Sequence, residues 1–382
     1  MKPIIFYAQQ YIDEEDIKSV IKILQGNYLT TGPYINKFEQ EFAKKVGAKY
    51  AVAVSSGTAA LHIANLAADI GQGDEIITTP MTFAATANAA LYVGAKPVFV
   101  DIDNETYNIN VREIEQRITD KTKAIVPVHY TGLPCDMEVI HSIAKKYDLI
   151  VIEDACHALG ARYKGSTIGD STYSNMTIFS FHPVKHITTG EGGMITTNSK
   201  ELYDKLIKLR SHGIVRDENN LQEASHGDWY YEMQLLGFNY RMTDIQAALG
   251  MSQLKKLDYF IKRRREIVEK YNDAFKSLPI KLPFEPEDYY NAYHLYVIKI
   301  NDDNKANQRN LYCKLKQKGI NTQVHYIPVH TMPYYQKNLG YKWGDYPVAE
   351  DHYRRVLSIP LYPAMTDEQV EYVIKCVKEV LI

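Results

Sequence analysis

Residues 149–193 read LIVIEDACHALGARYKGSTIGDSTYSNMTIFSFHPVKHITTGEGG. The β-branched run Leu149–Glu153 ends against an acid, Asp154. A second apolar run, Ile178–Phe181, leads into a polar, glycine-punctuated loop that carries Lys185. Short apolar runs of this kind read as strands buried on both faces, the type found in parallel sheets. Towards the N-terminus the pattern repeats at Tyr50–Val54, Glu75–Thr79, Lys96–Val100 and Lys123–Val128, with helical stretches beginning near Gly57, Thr82, Val111 and Asp136. Strands alternating with helices predict a largely parallel sheet covered on both sides, an α/β architecture. Two amphipathic stretches, Asp13–Leu24 and Tyr34–Val46, precede it as helices.

Towards the C-terminus the character changes. A long helical stretch, Thr243–Phe275, is charge-dense around Lys262–Glu266 and is followed by the proline-rich connector KSLPIKLPFEPEDYYN. A strand at Tyr293–Ile300, a helix at Asn307–Lys318, a strand at Asn321–Tyr326 and a closing helix at Asp367–Leu381 then predict a smaller α+β domain. The expected division is residues 1–245 for the large domain and 246–382 for the connecting helix and small domain.

The chain has 382 residues, 45% hydrophobic and 24% charged, which excludes disordered and low-complexity classes. With 44 Lys plus Arg against 46 Asp plus Glu, the net charge of −2 gives no basic field for nucleic acid or an anionic membrane. Four cysteines, Cys135, Cys156, Cys313 and Cys376, form no CxxC pair, which points to a reducing compartment, no metal site and buried small hydrophobes. The opening MKPIIFYAQQYIDEEDIKSV has too short an apolar run for a signal segment, and no run is long enough to span a membrane. A cytoplasmic protein is expected. The 30 tyrosines are spread along the chain and read as an aromatic-rich core and surface rather than a carbohydrate platform.

In an open α/β sheet, ligands collect at the carboxyl ends of the strands, where Asp154 stands. A lysine in the adjoining loop forms a Schiff base if its surroundings lower its pKa. Pyridoxal phosphate chemistry needs both groups: a lysine to hold the cofactor, and a carboxylate to keep the pyridine nitrogen protonated so that the ring accepts electrons. Taken singly, Asp154 reads equally as a helix cap and Lys185 as a solvated charge. A phosphate cradle is present in AVAVSSGTAALHIA, where the N–H groups of Gly57, Thr58 and Ala59 open a helix, although a plain capped helix has the same letters. Ser180 is placed to add a hydroxyl, and Phe83 in TPMTFAATANAAL to stack on a ring; a ligand-free strand serine and a core phenylalanine are the bland alternatives. His157, three residues past Asp154, either meets the cofactor's phenolic oxygen, orients Asp154, or is a structural histidine.

Together these stretches resemble the DegT/DnrJ/EryC1/StrS family of sugar aminotransferases, which are fold-type I pyridoxal phosphate enzymes. The motifs are SSGTAAL (Ser55–Leu61), TTPMTFAATANA (Thr78–Ala89), EDACHALGA (Glu153–Ala161), SFHPVKHITTGEGG (Ser180–Gly193), RSHGI (Arg210–Ile214), GFNYRMTDIQAALGMSQLKKL (Gly237–Leu257) and VHYIPVH (Val324–His330), in the family's order. The resemblance implies a mostly parallel seven-stranded sheet in the large domain. It implies Lys185 as the cofactor-bearing lysine, Asp154 as the pyridinium partner, Phe83 as the stacking ring, and Gly57, Thr58 and Ser180 as phosphate contacts. Asn239 is similar to the asparagine that reaches the neighbouring subunit's cofactor phosphate, which implies a homodimer with shared sites. His325 and Tyr326 would line the sugar-nucleotide pocket. Arg241 would meet a diphosphate or the donor's carboxylate, unless it forms an interface ion pair.

Dehydratase members carry histidine at the lysine position; Lys185, with His186 beside it, implies transamination from L-glutamate. Among branches, FSFHPVKHITTGEGG, LTTGPYINKFEQEF and LRSHGIV most resemble the pseudaminic acid branch, which aminates C4 of a UDP-linked 4-keto-6-deoxy-N-acetyl-hexosamine. Bacillosamine, legionaminic acid and perosamine types are the alternatives, and a non-catalytic binding module or another pyridoxal phosphate reaction the more distant ones.

Overall fold

The computed structural model describes residues 4–301 and 308–381. Two helices, α1 (Glu14–Leu24) and α2 (Pro33–Val46), lead into strand β1 (Tyr50–Val54). There follow α3 (Gly57–Ala67), β2 (Glu75–Thr78), α4 (Ala84–Tyr92), β3 (Lys96–Phe99), β4 (Thr122–Ile125), α5 (Met137–Tyr147), β5 (Ile150–Asp154), β6 (Met176–Ser180), β7 (Gly193–Thr197) and α6 (Lys200–Arg210). The seven strands form one sheet in the order β1-β7-β6-β5-β4-β2-β3. Only β7 runs against its neighbours; β1 and β6 are both antiparallel to it and so point the same way as the rest. All carboxyl ends except that of β7 therefore emerge on one edge.

Side-chain alternation splits the core in two, because successive strand residues face opposite sides. Ala51, Ala53, Val151 and Phe179 pack with Phe38 and Phe42 of α2 and Ile140 of α5 on one face. Val52, Val54, Ile152 and Ile178 pack with the alanine-rich faces of α3 and α4 and with Leu206 of α6 on the other.

Helices α7 (Asp244–Lys255) and α8 (Leu257–Phe275) follow, then β8 (Ile280–Lys281), β9 (Tyr296–Ile300), α9 (Gln308–Gln317), α10 (Pro333–Leu339), α11 (Pro347–Arg355), β10 (Val356–Ile359) and α12 (Asp367–Leu381). Strands β8, β9 and β10 make an antiparallel sheet with its own core, in which Tyr296, Ile298, Leu311, Leu357 and Val373 are buried. Helix α8 serves both cores: Leu257, Phe260 and Ile261 pack on the large sheet, and Ile267, Val268, Tyr271 and Phe275 on the small one.

Several expectations are corrected. The helix expected from Val111 is two three-residue 3₁₀ turns, Val111–Glu113 and Glu115–Arg117, the first opened by the Asn110 side chain accepting the Arg112 N–H. Thr243–Phe275 is two helices meeting at Lys256, whose ammonium is held by Asp13 and Asp16. The strand expected at Asn321–Tyr326 is a single bridge, Gln323 to Ser358, because the chain then turns to residues 80–81, where the Val329 N–H donates to Pro80 O at 2.9 Å. The ladder of β9 begins only at Tyr296, since the Tyr293 and Leu295 N–H groups are spent on Asn291 Oδ1 and Thr131 O. Asn307 lies outside the described residues. Cys135 and Cys376 are buried as expected, but Cys156 is half-buried and Cys313 exposed. Among the described residues no helix is long and apolar enough to cross a membrane.

Candidate active site

The strand ends converge on one pocket edge. Strand β5 delivers Asp154, 5% exposed, with its two carboxylate oxygens separately engaged: Oδ2 accepts the Thr86 hydroxyl at 2.6 Å and Oδ1 the Cys156 N–H at 3.1 Å. Thr86 stands one helical turn beyond Phe83, which opens α4 in extended backbone and leaves its ring 62% exposed. A large aromatic ring at a strand-to-helix turn with so much open face is free to cover a flat ligand.

Strand β1 ends in the Ser55–Ser56 turn, and Ser56 caps α3 by accepting the Ala59 N–H at 3.1 Å. The first helical hydrogen bond is Ala60 N–H to Ser56 O, so the Gly57 and Thr58 N–H groups stand ahead of the ladder at the positive end of the helix. A Cβ at Gly57 would lie 3.0 Å from Ser180 Cβ and 3.3 Å from Cys156 Sγ. Glycine is what lets the α3 turn approach the end of β6, and the approach gathers Gly57, Thr58 and Ser180 into one concave edge.

After β6 the chain turns so that the Lys185 N–H donates to His182 O at 2.9 Å. The side chain of Lys185 is half-buried near Asp154 and Cys156; burial lowers its pKa, while Cys156 and Asp154 pull the other way. A lysine amine lowered by burial is a nucleophile and a base nearer neutral pH than an exposed one. Behind it stand His157, His294 and His186, with ring centroids 4.4 Å apart for the first pair and 5.6 Å for the second. Burial, above all, pushes all three well below the ordinary histidine value, so they are neutral.

Tyr326 enters from the small-domain side, where its hydroxyl meets His157 Nε2 at 2.9 Å and its ring stands 6.3 Å from Phe83. Burial raises its pKa well above the usual phenol range, so it keeps its proton. His325 turns inward instead: Nδ1 meets Ser358 Oγ at 2.8 Å, and burial pushes the ring down to about 3. The structure thus brings Lys185, Asp154, His157, Gly57, Thr58, Ser180, Phe83 and Tyr326 to one edge and gives His325 a buried seat beneath it.

Asn239 and Arg241 lie on the segment after α6. The Tyr240 carbonyl accepts the Ser55 N–H at 2.8 Å, which ties this segment to the Ser55–Ser56 turn. Phe238 and Tyr240 stack at 5.1 Å on one side, so alternation turns Asn239 and Arg241 to the other; Asn239 is exposed, and Arg241 forms no ion pair among the described residues. Thr86 and His294 were missed by the reading of the sequence. Thr86 had a signal, its position one turn after Phe83 in TPMTFAAT, whereas His294 is brought in by tertiary folding alone.

The residues present fit pyridoxal phosphate: a helix N-terminus narrowed by a glycine for the phosphate, a half-buried lysine, and a fixed carboxylate near it. Comparisons with known proteins agree. The model of the DegT/DnrJ/EryC1/StrS aminotransferase family matches residues 10–378. The chain is 46% identical to spore coat polysaccharide biosynthesis protein SpsC of Bacillus subtilis, covering 98% of this chain and 96% of the relative. It is 42% identical to GDP-perosamine synthase of Escherichia coli O157:H7, covering 91% and 90%. Among solved structures, PseC of Helicobacter pylori, an aminotransferase involved in the biosynthesis of pseudoaminic acid, superposes with a TM-score of 0.91 at 32% identity over 99% of both chains. The PLP-form of the sugar aminotransferase Spr1654 of Streptococcus pneumoniae, itself described as putative, also gives 0.91, at 31% identity over 99% of this chain and 100% of that one. The chain belongs to the DegT/DnrJ/EryC1/StrS aminotransferase family and is a pyridoxal phosphate-dependent sugar aminotransferase.

Proposed function

We propose that the protein transfers the amino group of L-glutamate to C4 of a UDP-linked 4-keto-6-deoxy-N-acetyl-hexosamine, in the branch leading to pseudaminic acid. The observation that carries the aminotransfer site is the half-buried Lys185 near Asp154, whose carboxylate is fixed by Thr86. When bound, pyridoxal phosphate supplies an electron sink for the charge left at the carbon that bears the amine. Lys185 holds the cofactor, then takes the proton from the donor's carbon with Nζ and returns one at the sugar carbon. Asp154 holds the proton at the ring nitrogen. Gly57, Thr58 and Ser180 hold the phosphate with Asn239 of the partner subunit, Phe83 covers the ring, and neutral His157 faces the phenolic oxygen. Tyr326 excludes water from the sugar side, with His325 beneath it, and Arg241 binds the donor carboxylate or the diphosphate.

The reading has the enzyme working as a cytoplasmic homodimer. The homodimer is supported by the apolar residues Trp229, Met233 and Leu236, 76%, 65% and 77% exposed, on the same excursion of chain as Asn239. The likeness to PseC favours the pseudaminic acid branch. The 42% identity to GDP-perosamine synthase favours a second reading, in which the acceptor is a GDP-linked keto sugar of perosamine type. The test is to convert the enzyme with glutamate, remove excess donor, and add each keto sugar in turn. Return of the yellow band with the UDP sugar alone supports the first reading; return with the GDP sugar alone replaces it by the second.

A further inference from the structure

One buried carboxylate has no part in that reaction. Glu153 immediately precedes Asp154 but points to the other face of β5. It accepts hydrogen bonds from His129 Nε2 at 2.7 Å, from Thr177 Oγ1 at 2.9 Å and from Ser174 Oγ. The state of His129 follows from its other nitrogen, since Nδ1 accepts the backbone N–H of Cys135 at 3.0 Å. A ring nitrogen that accepts is bare, so the single proton sits on Nε2 and points at Glu153. A second proton would set Nδ1 against the Cys135 N–H. His129 is therefore a neutral donor, and Glu153 is an anion with no cation to balance it. The three donors that converge on the Glu153 carboxyl favour its anionic form. The Cys135 thiol nearby is pushed up by burial first and then by Glu153.

The same residues fix the strand end. The His129 N–H donates to Asp154 O at 3.1 Å, and the Asp154 N–H to Pro127 O at 2.9 Å. The charged or titratable groups around this unit are Asp154, Lys185 and Cys156 on the cofactor side, with Tyr326 and neutral His157 beyond them, and Cys135 and Asp136 on the other.

We propose that Glu153 is a positioning residue of the aminotransfer site, a permanent negative charge kept in place by His129 that raises the proton affinity of the cofactor held between Lys185 and Asp154. The proposal rests on the assignment of Lys185 and Asp154 to the cofactor. A purely structural carboxylate would affect folding and leave cofactor protonation alone.

The experiment is a pH titration of the yellow band of the cofactor-loaded protein, for the wild type, Glu153→Gln and Ser174→Ala. Removing the charge in Glu153→Gln is expected to move the midpoint to lower pH by about half a unit to one unit. Ser174→Ala keeps the charge and removes one donor, so it lowers the melting temperature and leaves the midpoint within about 0.2 units. A band whose midpoint is the same in Glu153→Gln overturns this proposal alone. Absence of the band from wild-type protein overturns the Lys185 assignment and the proposal with it. If Glu153→Gln does not fold, ¹⁵N-histidine-labelled wild-type protein decides, with His129 assigned through His129→Gln. A ring with its one proton at Nε2 and a bare Nδ1 is expected from its two hydrogen bonds, and a ring that carries both protons overturns the proposal.

Discussion

Thr86 sets a hydroxyl 2.6 Å from Asp154 Oδ2, and the Cys156 N–H occupies the other oxygen, so the carboxylate cannot rotate. A hydrogen bond to a charged group contributes about 1.5–3 kcal/mol, so Thr86→Val is expected to lower kcat/KM by roughly tenfold or more with cofactor still bound. Steady-state kinetics on the loaded variant check this, and an unchanged kcat/KM would remove Thr86 from the site. Asp154→Asn should retain cofactor and lose most turnover, and Lys185→Ala should show no yellow band. At this scale the sequence was most readable where chemistry is local: Lys185 follows its strand directly, and Gly57 sits where a helix opens. His129 and Glu153 were not legible as partners, because their meaning comes from which nitrogen or oxygen each meets, set by residues 6 and 24 positions away, and His294 enters only by packing its ring on His157 and His186. His325 shows the limit from the other direction. Its motif placed it in the substrate loop, but the fold turns its ring towards Ser358.

At the scale of elements, α2 begins at Gly32 with no side chain of its own to cap it. The cap comes from α7: Asp244 accepts the Gly32 N–H at 2.7 Å and the Tyr34 N–H at 2.9 Å, from 212 and 210 residues away. Amphipathic spacing revealed α2, but a cap supplied across the fold leaves no mark in the letters around it. Asp244→Ala is expected to lower stability by about 2 kcal/mol, measured by denaturant unfolding, since it strips a buried cap. The same pair of helices meets at Gly250, where a Cβ would stand 2.6 Å from the Phe38 ring and 2.9 Å from Thr189 Cγ2. Helix propensity alone favours Gly250→Ala by about 1 kcal/mol. Overpacking opposes it at about 1–3 kcal/mol, so the variant should be less stable than the wild type, and a gain in melting temperature would show that α7 can shift. Elsewhere the strands of the large sheet were legible because burial on both faces makes them continuous apolar runs. Helix α6 and the reversed strand β7 were not, being masked by charge in the first and by glycine and threonine in the second.

For the molecule as a whole, acid is expected to weaken the fold. His157, His186, His294 and His325 are held neutral, chiefly by burial, at values below the ordinary one. Unfolding frees each to take up a proton once the pH is below about 6.5, so the stability they carry is present above that pH and is lost as the pH falls towards their folded values. Each contributes up to about 1.4 kcal/mol per pH unit in that window. Melting of the cofactor-free protein should therefore come at lower temperature at about pH 5.5 than at about pH 7.5, and the reverse order would contradict the neutral assignments. The dimer proposal makes its own prediction. Leu236→Glu places a charge in the exposed apolar stretch that holds Trp229 and Met233, and it should give monomers by light scattering together with loss of turnover.

Helix α8 carries the last consequence. One end of it is built into the large core and the other into the small core, and Arg264 between them donates to the carbonyls of Tyr293, His294 and Leu361. Melting of either core strips the packing from one end of this helix. The two lobes are thus thermodynamically indivisible: calorimetry should trace one endotherm, and damage to the distant sheet of β8, β9 and β10 will be felt at Lys185 as loss of the whole fold.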